Sequence, residues 1–213
     1  MKKKSSSNRR NFLKSSALVA GGLLTALKLS CANSQSFNTT DNLNIIGPKE
    51  GYTPQVGTLV SMLNWMRDTI LYPVRGLSIK DLDYIHDETS NSIGAMLWHL
   101  ASTERFYQIN TFEGIAWGKW SAKEQKGWGT AMRLGDKGRK KINGNPIAFY
   151  LEKLESVRAH TLEEFAKRDD EWLLAVDDTW GWGPTNNYCK WFHVCEHESN
   201  HNGQIKWIKS RIS

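Results

Sequence analysis

The sequence contains few cysteines, and the two near its end cannot pair with each other. Of the three cysteines in the chain, Cys189 and Cys195 lie six residues apart. On one helix this spacing separates them by about 9 Å along the axis and by about 120° around it. That geometry excludes a disulfide between them, so we expect both to be small packing residues.

Acidic residues are absent from the first thirty positions, where the net charge of +6 is concentrated. This segment contains seven lysines and arginines, which leaves 21 basic against 22 acidic residues in 31–213. Because the rest of the chain is nearly neutral, we expect no nucleic-acid partner.

The sequence also has no apolar run of membrane-spanning length near its start. The run at 17–27 has eleven residues, about half of what a helix needs to cross a bilayer. The stretch NRRNFLK at 8–14 resembles the twin-arginine export signal. We therefore expect residues 1–34 to contain a signal peptide recognised by the twin-arginine export machinery, and the protein to be periplasmic or in the cell envelope.

The residues after the apolar run are compatible with two ways of processing the predicted signal peptide. Cys31 ends the sequence LSC, which looks like a degraded lipobox with Lys28 in place of an aliphatic residue. Lipidation of Cys31, which would anchor the protein to a membrane, and cleavage near Ala32 or Ser34 are both compatible with it. Residues 35–55 are rich in Ser, Asn, Thr, Gly and Pro, which predicts a flexible linker.

From residue 56 onward, apolar residues recur at helical spacing in four segments, and no strand-like alternation is long enough for a sheet. The first two segments cover about 56–74 and 90–111, the third starts at Asn145-Pro146 and has apolar residues up to Phe165, and the fourth runs from Asn186 to the end. The third has Asn145 as a predicted N-cap and Pro146 at its first helical position. The pattern predicts an all-α fold over 56–213, a four-helix bundle with long crossover loops.

Tryptophan is abundant, with ten in 213 residues, and half of them fall in the two Gly-rich loops between the predicted helices. The five are Trp117, Trp120, Trp128, Trp180 and Trp182. They can form an apolar lid that binds a flat or sugar-like ligand, or simply pack onto the end of the bundle.

The pentapeptide HESNH at 197–201 fits the metalloprotease pattern HExxH. On a helical wheel, His197 and His201 lie on or beside the apolar stripe of the last segment. Two imidazoles there either are hydrogen-bonded separately or share a cation, and the spacing of four residues favours a shared cation. No His, Asp, Glu or Cys follows His201, which excludes the usual protease arrangement with a downstream third ligand.

The third ligand must therefore come from upstream, and three histidines outside the last helix are candidates. His86 lies in a polar connection and His160 on a charged part of the third helix, whereas His99 lies within the apolar segment AMLWHLASTE. We predict a divalent-metal site of His99, His197 and His201. Imidazole ligands accept zinc, nickel or iron.

The segments around His99 and around His197 and His201, taken together, resemble those of a known protein family. SNSIGAMLWHLASTE, followed far downstream by HVCEHESNHNGQI, resembles the DinB-like family, and the resemblance covers roughly 56–213. It implies a four-helix bundle with a divalent metal held by three histidines, and Gly203-Gln204 after the last ligand also match. Asn200 and Asn202 depart from the typical tail H-E-x-H-H-R-G-Q. Some members are thiol-dependent transferases.

Three protein ligands leave one position open, as in catalytic metal sites. We expect an exported metal-dependent transferase or hydrolase that activates a thiol or water and acts on an unknown small molecule. Glu198 is the predicted catalytic residue, orienting that ligand or accepting its proton. Its alternative role is to hold an imidazole or to link helices.

Two other functions remain open at this point. One is a non-catalytic metal-binding or interaction protein of the cell envelope, and the other is a bundle that binds no metal. The sequence does not determine the oligomeric state; a homodimer, the most common assembly of soluble oligomers, is compatible with it.

Overall fold

The computed structural model describes residues 42–212, so the predicted signal peptide and Cys31 lie outside the described residues. Eight helices and two short strands form within this range. They are α1 (Pro54–Val74), α2 (Ile79–Leu82), α3 (Ile93–Thr111), α4 (Ala122–Arg133), α5 (Gly135–Lys141), α6 (Ile147–Phe165), α7 (Asp170–Leu174), β1 (Val176–Asp177), β2 (Thr185–Asn186) and α8 (Asn187–Lys209).

The four long helices α1, α3, α6 and α8 form the bundle that the sequence predicts. Helix α3 packs against both α6 and α8, and α1 packs mainly against α8. The shorter helices lie in the connections between them. The predicted all-α fold is therefore confirmed.

Local signals in the sequence explain where the long helices begin. The side chain of Ser92 accepts a hydrogen bond from the backbone of Ala95 at the start of α3. Asn186 caps α8 in the same way by accepting from Cys189. Helix α6 starts one residue later than predicted. Pro146 has an extended ψ of 160° and is itself the N-cap, so the helix begins after the proline.

Two hydrophobic clusters fill the interior. One lies around α3 and α6 and contains Leu97, Leu100 and Tyr150; the other lies between α1 and α8 and contains Leu59 and Trp191. Burial of such side chains stabilises the fold by about 1.5–3 kcal/mol each.

Close packing of α3 on α6 depends on a glycine. A Cβ on Gly94 would lie 2.7 Å from both Cζ and the hydroxyl oxygen of Tyr150. The absence of a side chain at residue 94 therefore lets the buried Tyr150 ring approach the backbone of α3.

The Gly-rich connection after α3 was predicted as a loop, and the structure corrects this. It folds into α4 and α5, with Trp128 on α4. The glycines at 127 and 129 lower helix propensity, which is why the segment resembles a loop. Contacts with α3 hold α4 in place, because Ser102 Oγ donates to the carbonyl of Trp128 over 2.9 Å.

The second Gly-rich loop contains β1 and β2, a two-residue antiparallel pair in which Val176 lies opposite Asn186. The segment before α1 is irregular from residue 42 to 53 and lies against that helix, where the Gly47 N–H donates to Ser61 Oγ over 3.1 Å. The predicted domain boundaries stay predictions.

Cys189 and Cys195 are free, as their spacing predicts. Cys195 is buried, as expected of a packing residue, but Cys189 is exposed, so the packing role predicted for it is wrong. Among the described residues, no helix is both long enough and apolar enough to cross a bilayer.

Candidate metal centre

Three histidines from two helices meet inside the bundle. His99 lies on α3, while His197 and His201 lie one turn apart on α8. One ring nitrogen from each residue falls within 4.8 Å of the others, and His99 Nε2 is 2.9 Å from His197 Nε2. The structure therefore brings together the three residues selected from the sequence.

Hydrogen bonds on the far side of two of the rings fix their orientation. His99 Nδ1 lies 2.9 Å from the carbonyl oxygen of Ala131, at the end of α4. His201 Nδ1 lies 3.0 Å from Oε1 of Gln204, one turn further along α8. Because carbonyl and amide oxygens only accept, each Nδ1 carries its proton, and the Nε2 lone pair is left for a metal.

The environment keeps all three imidazoles neutral. Burial, followed by repulsion from the neighbouring histidines, lowers the pKa of His197 to about 3. Burial and the proximity of His99 lower the pKa of His201 to about 4, and burial also lowers that of His99. Neutral imidazole is the form that binds metal, so the protonation states and the nitrogen donors both fit a divalent cation such as zinc, nickel or iron.

Glu198 lies next to His197 in the sequence but not among the metal-binding nitrogens. Its side chain is 1% exposed, and its Oε1 accepts hydrogen bonds from Arg67 Nε at 3.1 Å and Arg158 Nη2 at 3.0 Å. The interhelical role left open for Glu198 therefore matches its position, although its partners are guanidinium groups rather than an imidazole. The catalytic role stays a prediction.

Glu198 belongs to a buried four-residue cluster of Arg67, Glu104, Arg158 and Glu198, one residue from each long helix. Burial alone would raise the pKa of Glu104, but Arg158 and Arg67 lower it to about 2. Two carboxylates and two guanidiniums balance in charge. The cluster thus links the four helices beside the histidines, and its polar residues were not recognised in the sequence.

A cavity of about 200 Å³ opens onto the histidines and is walled by aromatic rings. His99 and His197 form one side of it. The aromatic residues of its wall are Tyr107, Trp117, Trp180, Trp182 and His193. Three of the five loop tryptophans therefore face this cavity, which we call the aromatic pocket; Trp120 stacks on Phe106 at 3.8 Å, and Trp128 lies on α4.

Sequence reasoning missed the pair of Tyr107 and His193 in this pocket. The Tyr107 hydroxyl lies 2.8 Å from His193 Nδ1. Burial raises the pKa of Tyr107, so the phenol stays protonated and can donate to the ring. The sequence does indicate that His193 lies near the cluster, because it precedes His197 by the same four residues that separate His197 from His201.

Two further histidines and a larger groove lie away from this centre. His86 packs edge-on against Trp207, and His160 packs against Phe112. A groove of about 540 Å³ near Trp207 has none of the three clustered histidines in its wall. The aromatic pocket is therefore the cavity that a ligand at the histidine centre would occupy.

Three nitrogen ligands beside a pocket form an arrangement typical of catalytic metal sites. Four-coordinate structural sites usually have all four positions filled by protein. Within the described residues, no carboxylate or cysteine joins the three histidines. A bound cation would thus keep a position for a small molecule.

Solved structures with a similar fold support the architecture. A conserved protein from Enterococcus faecalis matches with a TM-score of 0.55 and 13% identity, over 71% of this chain and 92% of that one. A Streptococcus pneumoniae protein matches with a TM-score of 0.56 and 11% identity, over 74% of this chain and 92% of that one. An uncharacterized Clostridium difficile protein matches with a TM-score of 0.57 and 12% identity, over 74% of this chain and 97% of that one. At these identities the likeness shows the fold alone.

The sequence comparisons are more specific. No curated protein matches the sequence. The family model described as mycothiol-S-transferase matches residues 58–213, which include all four bundle helices except the first turn of α1. The chain therefore belongs to the mycothiol-S-transferase family, within the DinB-like group.

Proposed function

We propose that this protein is a metal-dependent S-transferase that joins a low-molecular-weight thiol to a small electrophile. The observation that carries the proposal is the convergence of three neutral imidazoles, two of which, His99 and His197, form one side of the aromatic pocket. The family description names mycothiol as the thiol, and a thiol of that class is the donor proposed here.

His99, His197 and His201 would hold the cation. When bound, a divalent cation supplies positive charge that lowers the pKa of a thiol at its open position. Ala131 and Gln204 keep the rings in the binding orientation, and the aromatic walls exclude water from the reacting sulfur. In a substitution the S–H bond and the bond from carbon to the leaving group break, an S–C bond forms, and the thiol proton leaves together with the displaced group, which is chloride for 1-chloro-2,4-dinitrobenzene.

A hydrolase that activates water at the same centre is the second candidate. The histidine geometry suits both nucleophiles, but the pocket wall is mainly apolar and aromatic, which favours a thiol and an apolar electrophile over water. Export by the twin-arginine route and lipid anchoring at Cys31 are further proposals that rest on the sequence motifs alone.

The first test is metal content in the full chain purified without a histidine tag. We expect about one metal per chain, lost in His99→Ala and His201→Ala but retained in His160→Ala, whose ring lies away from the centre. Thiol consumption with 1-chloro-2,4-dinitrobenzene should then require the metal. No binding of zinc, nickel or iron by the wild type would refute the metal centre, and water-dependent ester cleavage without thiol transfer would favour the hydrolase.

A further inference from the structure

Charge is distributed unevenly over the part of the chain that follows residue 30. Residues 119–141, which contain α4 and α5, have eight lysines and arginines against two acidic residues, a net charge of +6. The 21 basic and 22 acidic residues of 31–213 therefore leave 13 basic against 20 acidic outside this segment, a net charge of −7. The near neutrality of 31–213 thus results from two opposite charges that lie in different parts of the chain.

Both acidic residues of the segment are already paired with arginines. Glu124 Oε1 lies 2.9 Å from Arg105 Nη2, and Asp136 pairs with Arg139. Within residues 42–212, the salt bridges made by lysines all lie outside the segment. The six lysines of the segment are exposed: Lys119, Lys123, Lys126, Lys137, Lys140 and Lys141. Their charge is therefore available to a partner.

The exposed basic residues of each helix lie on one side of it. At about 100° per residue, those of α4 fall within an arc of about 80° and those of α5 within about 100°. They are Lys123, Lys126 and Arg133 on α4, and Lys137, Lys140 and Lys141 on α5. The buried residues Ala131 and Gly138 lie outside these arcs. Each helix therefore presents a basic side to solvent.

Apolar side chains are exposed directly before α4. A tight turn forms there, in which the Lys119 N–H donates to the Ala116 carbonyl over 3.0 Å and Gly118 has a φ of 84°. Ile115 is 36% exposed and Trp117 is 37% exposed. Indole and aliphatic side chains next to lysines are typical of segments that lie in the headgroup region of a bilayer.

We propose that residues 115–119 and the basic sides of α4 and α5, together called the basic face, dock on an anionic membrane surface. Lysine ammonium groups attract anionic headgroups as point charges, without a fixed geometry. Six of the eight basic residues of 119–141 are lysines, whereas arginine is the preferred residue for recognising nucleic acid. Export to the cell envelope, as the sequence motif predicts, would bring the basic face to a membrane. The proposal goes beyond the S-transferase function and does not depend on it.

The first measurement is co-sedimentation of the full chain with lipid vesicles. One set contains phosphatidylcholine alone, and the other contains phosphatidylcholine and phosphatidylglycerol in a ratio of three to one. We expect binding to the anionic vesicles alone. The binding should weaken strongly between about 0.1 M and about 1 M salt, because the range of electrostatic attraction shrinks from about 10 Å to about 3 Å.

A variant and a matched control assign the binding to the basic face. Each replaces three exposed lysines by glutamine, so both lose the same charge. The test set is Lys126→Gln, Lys137→Gln and Lys140→Gln, and the control set is Lys80→Gln, Lys167→Gln and Lys206→Gln. One lysine at an anionic surface contributes about fivefold, so the test variant should lose about a hundredfold in the partition coefficient. The control should stay near the wild-type value.

Hydrogen exchange of the full chain then locates the contact. This is necessary because residues 1–30 have seven lysines and arginines of their own, which also attract anionic lipid. We expect anionic vesicles to slow exchange in peptides covering 115–141, and phosphatidylcholine vesicles to leave exchange there unchanged. Protection confined to residues 1–34 would show that the basic face does not dock.

Three further results would overturn the proposal. They are equal binding to both kinds of vesicle, a test variant that partitions like the wild type, and salt-sensitive binding of a DNA duplex in place of vesicles. The last would assign the basic face to nucleic acid. These measurements need neither metal nor thiol, so their failure leaves the S-transferase proposal intact, and loss of that proposal leaves the membrane surface intact.

Discussion

Glu198 and Arg67 form a buried ion pair across the bundle, with Arg67 Nε 3.1 Å from Glu198 Oε1, although Glu198 directly follows the cluster histidine His197. Consecutive residues on a helix point about 100° apart. His197 therefore reaches the histidine cluster while Glu198 reaches the arginines of α1 and α6. The same pentapeptide supplies two candidate metal ligands, His197 and His201, and a structural link between helices.

Loss of the Glu198 carboxylate should destabilise the fold more than it affects metal binding. Glu198→Ala leaves Arg67 and Arg158 short of one negative charge inside the bundle, and breaking a buried pair costs about 3–5 kcal/mol. We expect a drop of that order in the free energy of unfolding by urea, with the metal stoichiometry of the folded protein unchanged.

Glu196 provides the matched control for this experiment, since it lies two residues away on the exposed side of α8. Glu196→Ala should alter the unfolding free energy by less than about 0.5 kcal/mol. A Glu198→Gln variant of unchanged stability that has lost thiol transfer would instead support the catalytic role predicted from the sequence.

Gln204 should influence metal affinity through His201. Its Oε1 accepts from His201 Nδ1 over 3.0 Å, and loss of such a partner typically costs tenfold to a hundredfold in metal affinity, about 1.4–2.7 kcal/mol. We expect Gln204→Ala to weaken zinc by that factor in a chelator competition. Lys206→Ala, an exposed change on the same helix, should leave zinc affinity at the wild-type value.

The depressed histidine pKa values predict metal binding that tolerates mild acid. Protons compete for a free imidazole below about pH 6.5, but His201 and His197 have pKa values of about 4 and 3. Zinc affinity should therefore change little between about pH 7.5 and 5.5. An affinity that falls in proportion to proton concentration from pH 6.5 downward would contradict these pKa shifts.

The same shifts give the metal-free protein a pH-dependent stability. Between pH 6.5 and about 4, His201 and His197 are protonated in the unfolded chain but stay neutral in the folded one. The unfolded state then binds more protons, so stability should decline as the pH falls through this window. Thermal unfolding of His197→Gln should show a weaker decline over the same range.

The contact between Gly94 and Tyr150 should make residue 94 intolerant of any side chain. Gly94→Ala would place Cβ 2.7 Å from the Tyr150 ring, and we expect a loss of about 1–3 kcal/mol in unfolding free energy. Gly203 on α8 is the control, because nothing lies within 4 Å of a Cβ there. Gly203→Ala should stabilise the helix by up to about 1 kcal/mol.

The sequence by itself determined the four long helices and the residue type of the candidate metal ligands. The 3–4 spacing of apolar residues identified the four bundle helices, and the wheel position of His197 and His201 placed them on the buried face of α8. These inferences succeed because helical periodicity is local, and a residue's face follows from counting along one segment. His99 was identified by its apolar neighbours.

Only the tertiary structure decided which polar groups meet. Whether Glu198 faces His197 or Arg67 depends on how four helices rotate against one another, and sequence spacing within α8 contains no information on Arg67 of α1. The Tyr107–His193 pair and the convergence of Trp117, Trp180 and Trp182 from two distant loops likewise arise from packing. Local pattern determines a residue's face, whereas long-range packing determines its partner.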